Sequence, residues 1–404
     1  MRMMKAFLFA CLGITTIAHA DDIVERGRYL ATAGDCASCH TARNGKPFAG
    51  GRVIATPFGP IPAPNLTPDA ETGIGGWSAD DFFHALHEGK GRDGTSLYPA
   101  FPFTSYTKVT RADCDAIFAW LKTLPAVRQP ALPDTLRFPY RMRWLMGPWR
   151  TIFFDAGEYV ADASRPASWN RGAYLVQGLG HCNECHARRN SFGAPVTEPF
   201  LAGGIIPVQN WYAPDLSMGV NGGLAGWSEA DVVTLLKTGR SSRGTALGPM
   251  ADVVMKSTRH LTDDDLAAIA TYLKSLPDPE PRKPGESIAG AKDLVANGRG
   301  TYERQCAACH GDDGRGKGDA YPPLDRNPTV TDPTGINVIR AVLSGGFSPA
   351  TEGNPRPYSM PPFSQRLDDD EVAGVVSYIR QAWSNKASAV SPGDVRAYRS
   401  VPGE

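Results

Sequence analysis

The pattern Cys-x-x-Cys-His occurs three times in this chain, as Cys36-Ala37-Ser38-Cys39-His40, Cys182-Asn183-Glu184-Cys185-His186 and Cys306-Ala307-Ala308-Cys309-His310. This is the attachment signature of c-type haem. The two thiols add to the haem vinyl groups as thioethers, and the adjacent imidazole becomes the proximal iron ligand. One copy could arise by chance, but three in separate repeats cannot reasonably do so. The motifs therefore assign Cys36, Cys39, Cys182, Cys185, Cys306 and Cys309 to covalent attachment, and His40, His186 and His310 to iron. The expected cofactors are three covalently bound haem c groups, and the expected chemistry is electron transfer. A zinc reading fails on spacing, because each pair is followed at once by His and the pairs do not combine at zinc-finger intervals.

The surroundings of the motifs repeat as well. Arg26-Gly27-Arg28-Tyr29-Leu30 precedes the first motif, Arg171-Gly172-Ala173-Tyr174-Leu175 the second, and Asn297-Gly298-Arg299-Gly300-Thr301-Tyr302 the third. Each opens a short helix that delivers the cysteine pair. Further on, Gly76-Trp77-Ser78-Ala79-Asp80-Asp81 matches Gly226-Trp227-Ser228-Glu229-Ala230-Asp231. Ser78 and Ser228 read as N-caps, with Asp81 and Asp231 giving an imperfect capping box because they are shorter than the usual Glu. Both helices are expected to stop at glycine, Gly89 and Gly239.

Each repeat closes with an amphipathic helix. Ile117, Trp120 and Leu121 recur as Ile269, Tyr272 and Leu273, and again as Val375, Tyr378 and Ile379, at a spacing that forms one helical face. Cys114 falls at the position of Leu266 and Val372 and reads as a buried small hydrophobe. The expected fold is all-α: three tandem class I cytochrome c-type domains at 21–125, 169–277 and 292–386, each wrapped on one haem. Segments 126–168 and 278–291 link them, and 387–404 forms a C-terminal tail.

Residues 1–20 read as a secretory signal peptide: a basic start, an apolar stretch from Ala6 to Ala18, and a small-x-small cleavage site at Ala18-His19-Ala20. Export to the periplasm fits the attachment motifs. No later stretch has 18 or more uninterrupted apolar residues, so attachment to the cytoplasmic membrane is expected to be peripheral. With 42 basic and 42 acidic residues the net charge is zero, which offers nucleic acid no bulk attraction.

The sixth iron ligand separates the repeats. An electron-transfer haem c commonly pairs His with Met, which raises its potential. Met360, in Ser359-Met360-Pro361-Pro362, and Met250, after Gly248-Pro249, occupy the loop where that Met is expected; the bland reading of either is a packed core side chain. In the first repeat the loop is Tyr98-Pro99-Ala100-Phe101-Pro102, and no Met occurs between Lys5 and Arg141. Phenylalanine has no lone pair to give. His87 and His84, on the preceding helix, are the candidate substitutes, against exposed helix histidines or a five-coordinate iron as alternatives.

The chain resembles the three-haem cytochrome c subunits of membrane-bound periplasmic dehydrogenases. The residues that carry the resemblance are the three motifs, Ala63-Pro64-Asn65-Leu66-Thr67-Pro68, Trp169 to Leu175, Asn210-Trp211-Tyr212-Ala213-Pro214, and Arg356 to Phe363. It implies a catalytic dehydrogenase subunit as partner, with a flavin, PQQ or molybdenum cofactor, of the alcohol, gluconate, sorbitol, fructose or aldehyde type. It also implies ubiquinone or a terminal oxidase as the electron acceptor. Many relatives carry Met where Phe101 stands, so a Met-ligated first haem does not carry over. Between Leu136 and Phe154, Arg137, Arg141, Arg143 and Arg150 alternate with Phe138, Tyr140, Trp144, Trp149 and Phe153, a mixture suited to a membrane surface, a partner groove or packing between domains. Two other readings stand beside the subunit: an enzyme acting at an open first haem, and a free-standing multihaem carrier.

Overall fold

The computed structural model describes residues 14–220, 222–280, 290–318 and 320–399. Of the expected signal peptide, residues 1–13 lie outside the described residues, as does 281–289 of the second linker. The chain divides into two compact units between Tyr159 and Val160.

The first unit contains α1 (Ile14–Ala33), α2 (Cys36–His40), α3 (Ala79–Glu88), α4 (Phe103–Tyr106), α5 (Arg111–Leu121) and α6 (Met146–Phe153). Helix α1 crosses α5 at Gly27, where a Cβ would lie 1.9 Å from the Ala116 carbonyl oxygen. Only glycine lets the backbones approach so closely. Beside the crossing, Arg26 donates to the nearly buried Asp113 carboxylate at 2.6 Å.

The second unit repeats this device twice. It contains α7 (Ala167–Gln177), α8 (Glu229–Thr238), α9 (Pro249–Lys256), α10 (Asp263–Lys274), α11 (Ala291–Gln305), α12 (Ala307–His310), α13 (Ile336–Ser344), α14 (Asp369–Gln381) and α15 (Pro392–Arg399). Helix α7 crosses α10 with Gly172 against the Ala268 carbonyl, and Arg171 grips Asp265 with two bonds of 2.7 Å. Helix α11 crosses α14 with Gly298 against the Gly374 carbonyl. Cys114, Leu266 and Val372 are all fully buried on the closing helices, the register read from the sequence.

The capping boxes are complete rather than imperfect. Asp81 accepts from the Ser78 N–H at 2.8 Å and Asp231 from the Ser228 N–H at 2.9 Å, so the shorter acid reaches after all. The helices end at Gly89 and Gly239 in the left-handed region, with φ of 59° and 81°.

Three features go beyond the expected layout. The fold is mostly helical, as expected, and adds short antiparallel two-stranded hairpins β1–β2 (Val53–Ile54, Ile61–Pro62), β3–β4 (Gly204–Ile206, Trp211–Ala213), β5–β6 (Arg240–Ser241, Gly244–Thr245) and β7–β8 (Gly346–Phe347, Ser359–Met360). These segments are two or three residues long, too short for a periodicity to register. The stretch after Pro125 is laid back on the first unit: Asn65 donates to the Val127 carbonyl, Arg137 N–H to the Phe58 carbonyl, and Tyr159 N–H to the Lys108 carbonyl. Finally, α15 lies within the expected tail. It packs on α13 and α14, burying Val395, while Arg399 donates to the Ser364 and Leu367 carbonyls and to Asp369.

Candidate haem sites

At each motif the histidine side chain is fixed in the same way. His40 Nδ1 lies 2.8 Å from the Pro64 carbonyl oxygen, His186 Nδ1 2.7 Å from that of Pro214, and His310 Nδ1 3.0 Å from that of Pro322. A carbonyl can only accept, so Nδ1 carries the proton and the lone pair sits on Nε2. Burial lowers the proton affinity of all three imidazoles and keeps them neutral. A neutral imidazole with Nδ1 tied to a carbonyl is the form that binds iron through Nε2.

A second shared bond sets the turn. The carbonyls of His40, His186 and His310 accept from the N–H of Gly50, Gly203 and Gly316 at 2.8, 2.9 and 2.8 Å. These glycines have φ of 75°, 77° and 77°, and a Cβ on any of them would press on Pro64, Pro214 or Pro322. The sequence reading missed this glycine–proline pair. Its signal was present, because each motif is followed by such a glycine and then such a proline, at varying distances.

The first thiol of each pair has its proton held by burial. Burial pushes Cys36 and Cys182 up to about 12 and Cys306 up to about 11. These are poor thiolate donors for a metal, and their pairing with a neighbouring ligand imidazole suits covalent haem instead.

The sixth-ligand candidates are placed unequally. In the third repeat Met360 sits on β8 and lines a cavity of about 430 Å³ together with Cys306, Cys309, His310 and Phe363. The two motif cysteines, the motif histidine and Met360 thus face one space. In the second repeat Met250 lies in the first turn of α9, after Gly248, where a Cβ would come within 2.6 Å of the Trp211 ring. Trp211 itself is buried three residues before Pro214, with an indole N–H that has no hydrogen-bond partner. A buried, unpaired donor beside the histidine-fixing strand and the Met loop suits a carboxylate of the cofactor. The residues at both sites fit haem.

In the first repeat Phe101 packs on Tyr106, whose hydroxyl donates to the Gly34 carbonyl at 2.9 Å, two residues before Cys36. His84 is half exposed and its Nδ1 pairs with Glu88 at 2.9 Å. His87 stacks on Phe83 at 4.7 Å, with Nε2 buried and unpartnered. Burial lowers its proton affinity, and the titratable groups that bear on it are Glu158, Glu88, Lys108 and His84.

Fold and sites together define a protein built to carry covalent haem. A profile of the cytochrome c family matches residues 24–125 and 295–383. The chain is 38% identical to the cytochrome c subunit of the quinone alcohol dehydrogenase of Gluconobacter oxydans, over 98% of this chain and 87% of that one. It is 38% identical to the gluconate 2-dehydrogenase cytochrome c subunit of Pantoea cypripedii, over 98% and 95%, and 34% identical to the fructose dehydrogenase cytochrome subunit of Gluconobacter japonicus, over 95% and 84%. The chain belongs to the family of cytochrome c subunits of dehydrogenases.

Proposed function

We propose that this chain is the electron-transfer subunit of a periplasmic, membrane-associated dehydrogenase, with one haem c in each of three domains. Electrons pass from a catalytic subunit with a flavin, PQQ or molybdenum cofactor through the haems to ubiquinone or a terminal oxidase. The observation that carries the reading is the recurrence at 40, 186 and 310 of a buried neutral histidine tied to a proline carbonyl. Haem supplies the one-electron chemistry, and the chain's own residues fix the ligand tautomer and bury the iron environment.

Attachment to the membrane falls to the segment laid over the first unit. Arg150 stacks on Phe103 and Phe154 and donates to the Glu88 carbonyl, while Arg143 lies over Tyr98. Phe138, Trp144 and Ile152 remain about 70% exposed beside Arg137 and Arg141. Exposed aromatics flanked by arginine suit the headgroup layer of a bilayer. No helix among the described residues is long and apolar enough to cross a membrane. From detergent-solubilised membranes the chain should co-purify with a larger dehydrogenase subunit. Phe138→Ser with Trp144→Ser should lower its share in the membrane fraction without losing that subunit. Recovery of the chain alone, itself turning over an alcohol or sugar with an artificial acceptor, would sink the subunit reading.

The first haem is the one without a Met ligand, and His87 is its proposed sixth ligand because His84 is engaged by Glu88. His87→Ala should change the low-temperature spin-resonance signal of one haem, and His84→Ala should change none. Three unaltered low-spin signals in His87→Ala would remove His87 from the iron.

A further inference from the structure

Within the second unit, the repeat closed by α10 and the repeat closed by α14 meet through defined bonds. The Asn337 side chain accepts from the Tyr212 N–H at 2.9 Å and donates to the Tyr212 carbonyl at 2.7 Å. The Thr351 hydroxyl donates to the Thr238 carbonyl at 2.9 Å, and Arg259 to the Ala350 carbonyl at 3.1 Å. These contacts seat β5–β6 of one repeat against the haem site of the next. Arg240, Thr245 and Leu247 line the same cavity as Cys306, His310 and Met360.

Among the described residues of that lining, Arg240 and Arg356 carry guanidinium groups and none carries a carboxylate. Arg240 also donates to the Gly353 carbonyl at 3.3 Å, which ties it to the loop that carries Arg356. A haem brings two propionates, and a carboxylate withdrawn from water needs charge-assisted donors. Arginine supplies them in a planar fork that matches carboxylate geometry.

We propose that Arg240 and Arg356 together bind the propionates of the third haem, so that the second repeat contributes a charged ligand to the haem of the third. The proposal rests on the reading of the third cavity as a haem site. Reduction removes one positive charge from the iron, so a fixed cation nearby favours the reduced form and raises the midpoint potential. The potential of the third haem therefore depends on a residue from the neighbouring repeat.

The test is a spectroelectrochemical titration of the full chain carrying its haems. Met360→His replaces thioether by imidazole and should lower one step, which marks the third haem. Arg240→Gln should lower that same step and leave the others in place, and Arg240→Lys, which keeps the charge, should return it towards the parent value. If Arg240→Gln moves no step, or Arg240→Lys falls as far as Arg240→Gln, the proposal is overturned while the haem-site reading stands. If Met360→His moves no step, both fall together.

Discussion

Replacing Cys182 and Cys185 together by alanine should leave two covalently bound haems per chain in place of three. In c-type haem the thioethers are the only covalent links between cofactor and protein, and in the proposed three-haem reading these two cysteines serve the second site alone, next to His186, whose Nδ1 is tied to the Pro214 carbonyl. The effect is all-or-none for one cofactor, since both attachment points go at once. The measurement is the ratio of haem to protein by alkaline pyridine spectroscopy, with intact mass as a second readout. A ratio that stays at three would disprove the attachment. A ratio of zero would show that the repeats do not mature separately, against the reading of one domain per haem.

Gly298→Ala and Gly300→Ala should act in opposite directions, although they lie two residues apart on α11. At Gly298 a Cβ would sit 1.9 Å from the Gly374 carbonyl oxygen, inside a helix crossing where the obstacle is backbone. The helices would have to separate, at a cost of about 3 kcal/mol by comparison with overpacked cores. At Gly300 the nearest atom is the end of the flexible Arg304 side chain at 3.1 Å. There alanine restricts the unfolded chain without a clash and should add about 0.5–1 kcal/mol. Thermal unfolding of the haem-loaded protein gives both signs in one experiment. A neutral Gly298→Ala would mean that α11 and α14 do not cross as closely as described.

Much of the fold was readable because it is built from local signals. The capping serines, the stop glycines and the i, i+3, i+4 stripes each lie within a dozen residues, and the structure keeps all of them. The hairpins were not readable, because strands of two or three residues carry no pattern and are defined by partners elsewhere in the chain. Nor were the histidine-fixing prolines, which stand 24, 28 and 12 residues beyond their partners with no constant spacing. Arg26 and Arg171 could be aligned with each other from the sequence, but their carboxylates at Asp113 and Asp265 lie 87 and 94 residues away. Sequence order shows which residues repeat, and only folding shows which of them meet. Arg240 is the strongest case, since its role depends on how one repeat seats on the next.

Cys114 is the one cysteine of the described chain that belongs to no Cys-x-x-Cys-His motif. Fully enclosed on α5, its thiol is pushed up to about 12, mainly by burial. Disulfide exchange and oxidation both proceed through the thiolate and require access. In an oxidising compartment the described residues of the folded first unit therefore offer no odd sulfur for mixed disulfides, for covalent dimers or for capture by thiol-oxidising enzymes. Once that unit has folded, Cys36 and Cys39 are the described cysteines of the unit that remain outside such enclosure.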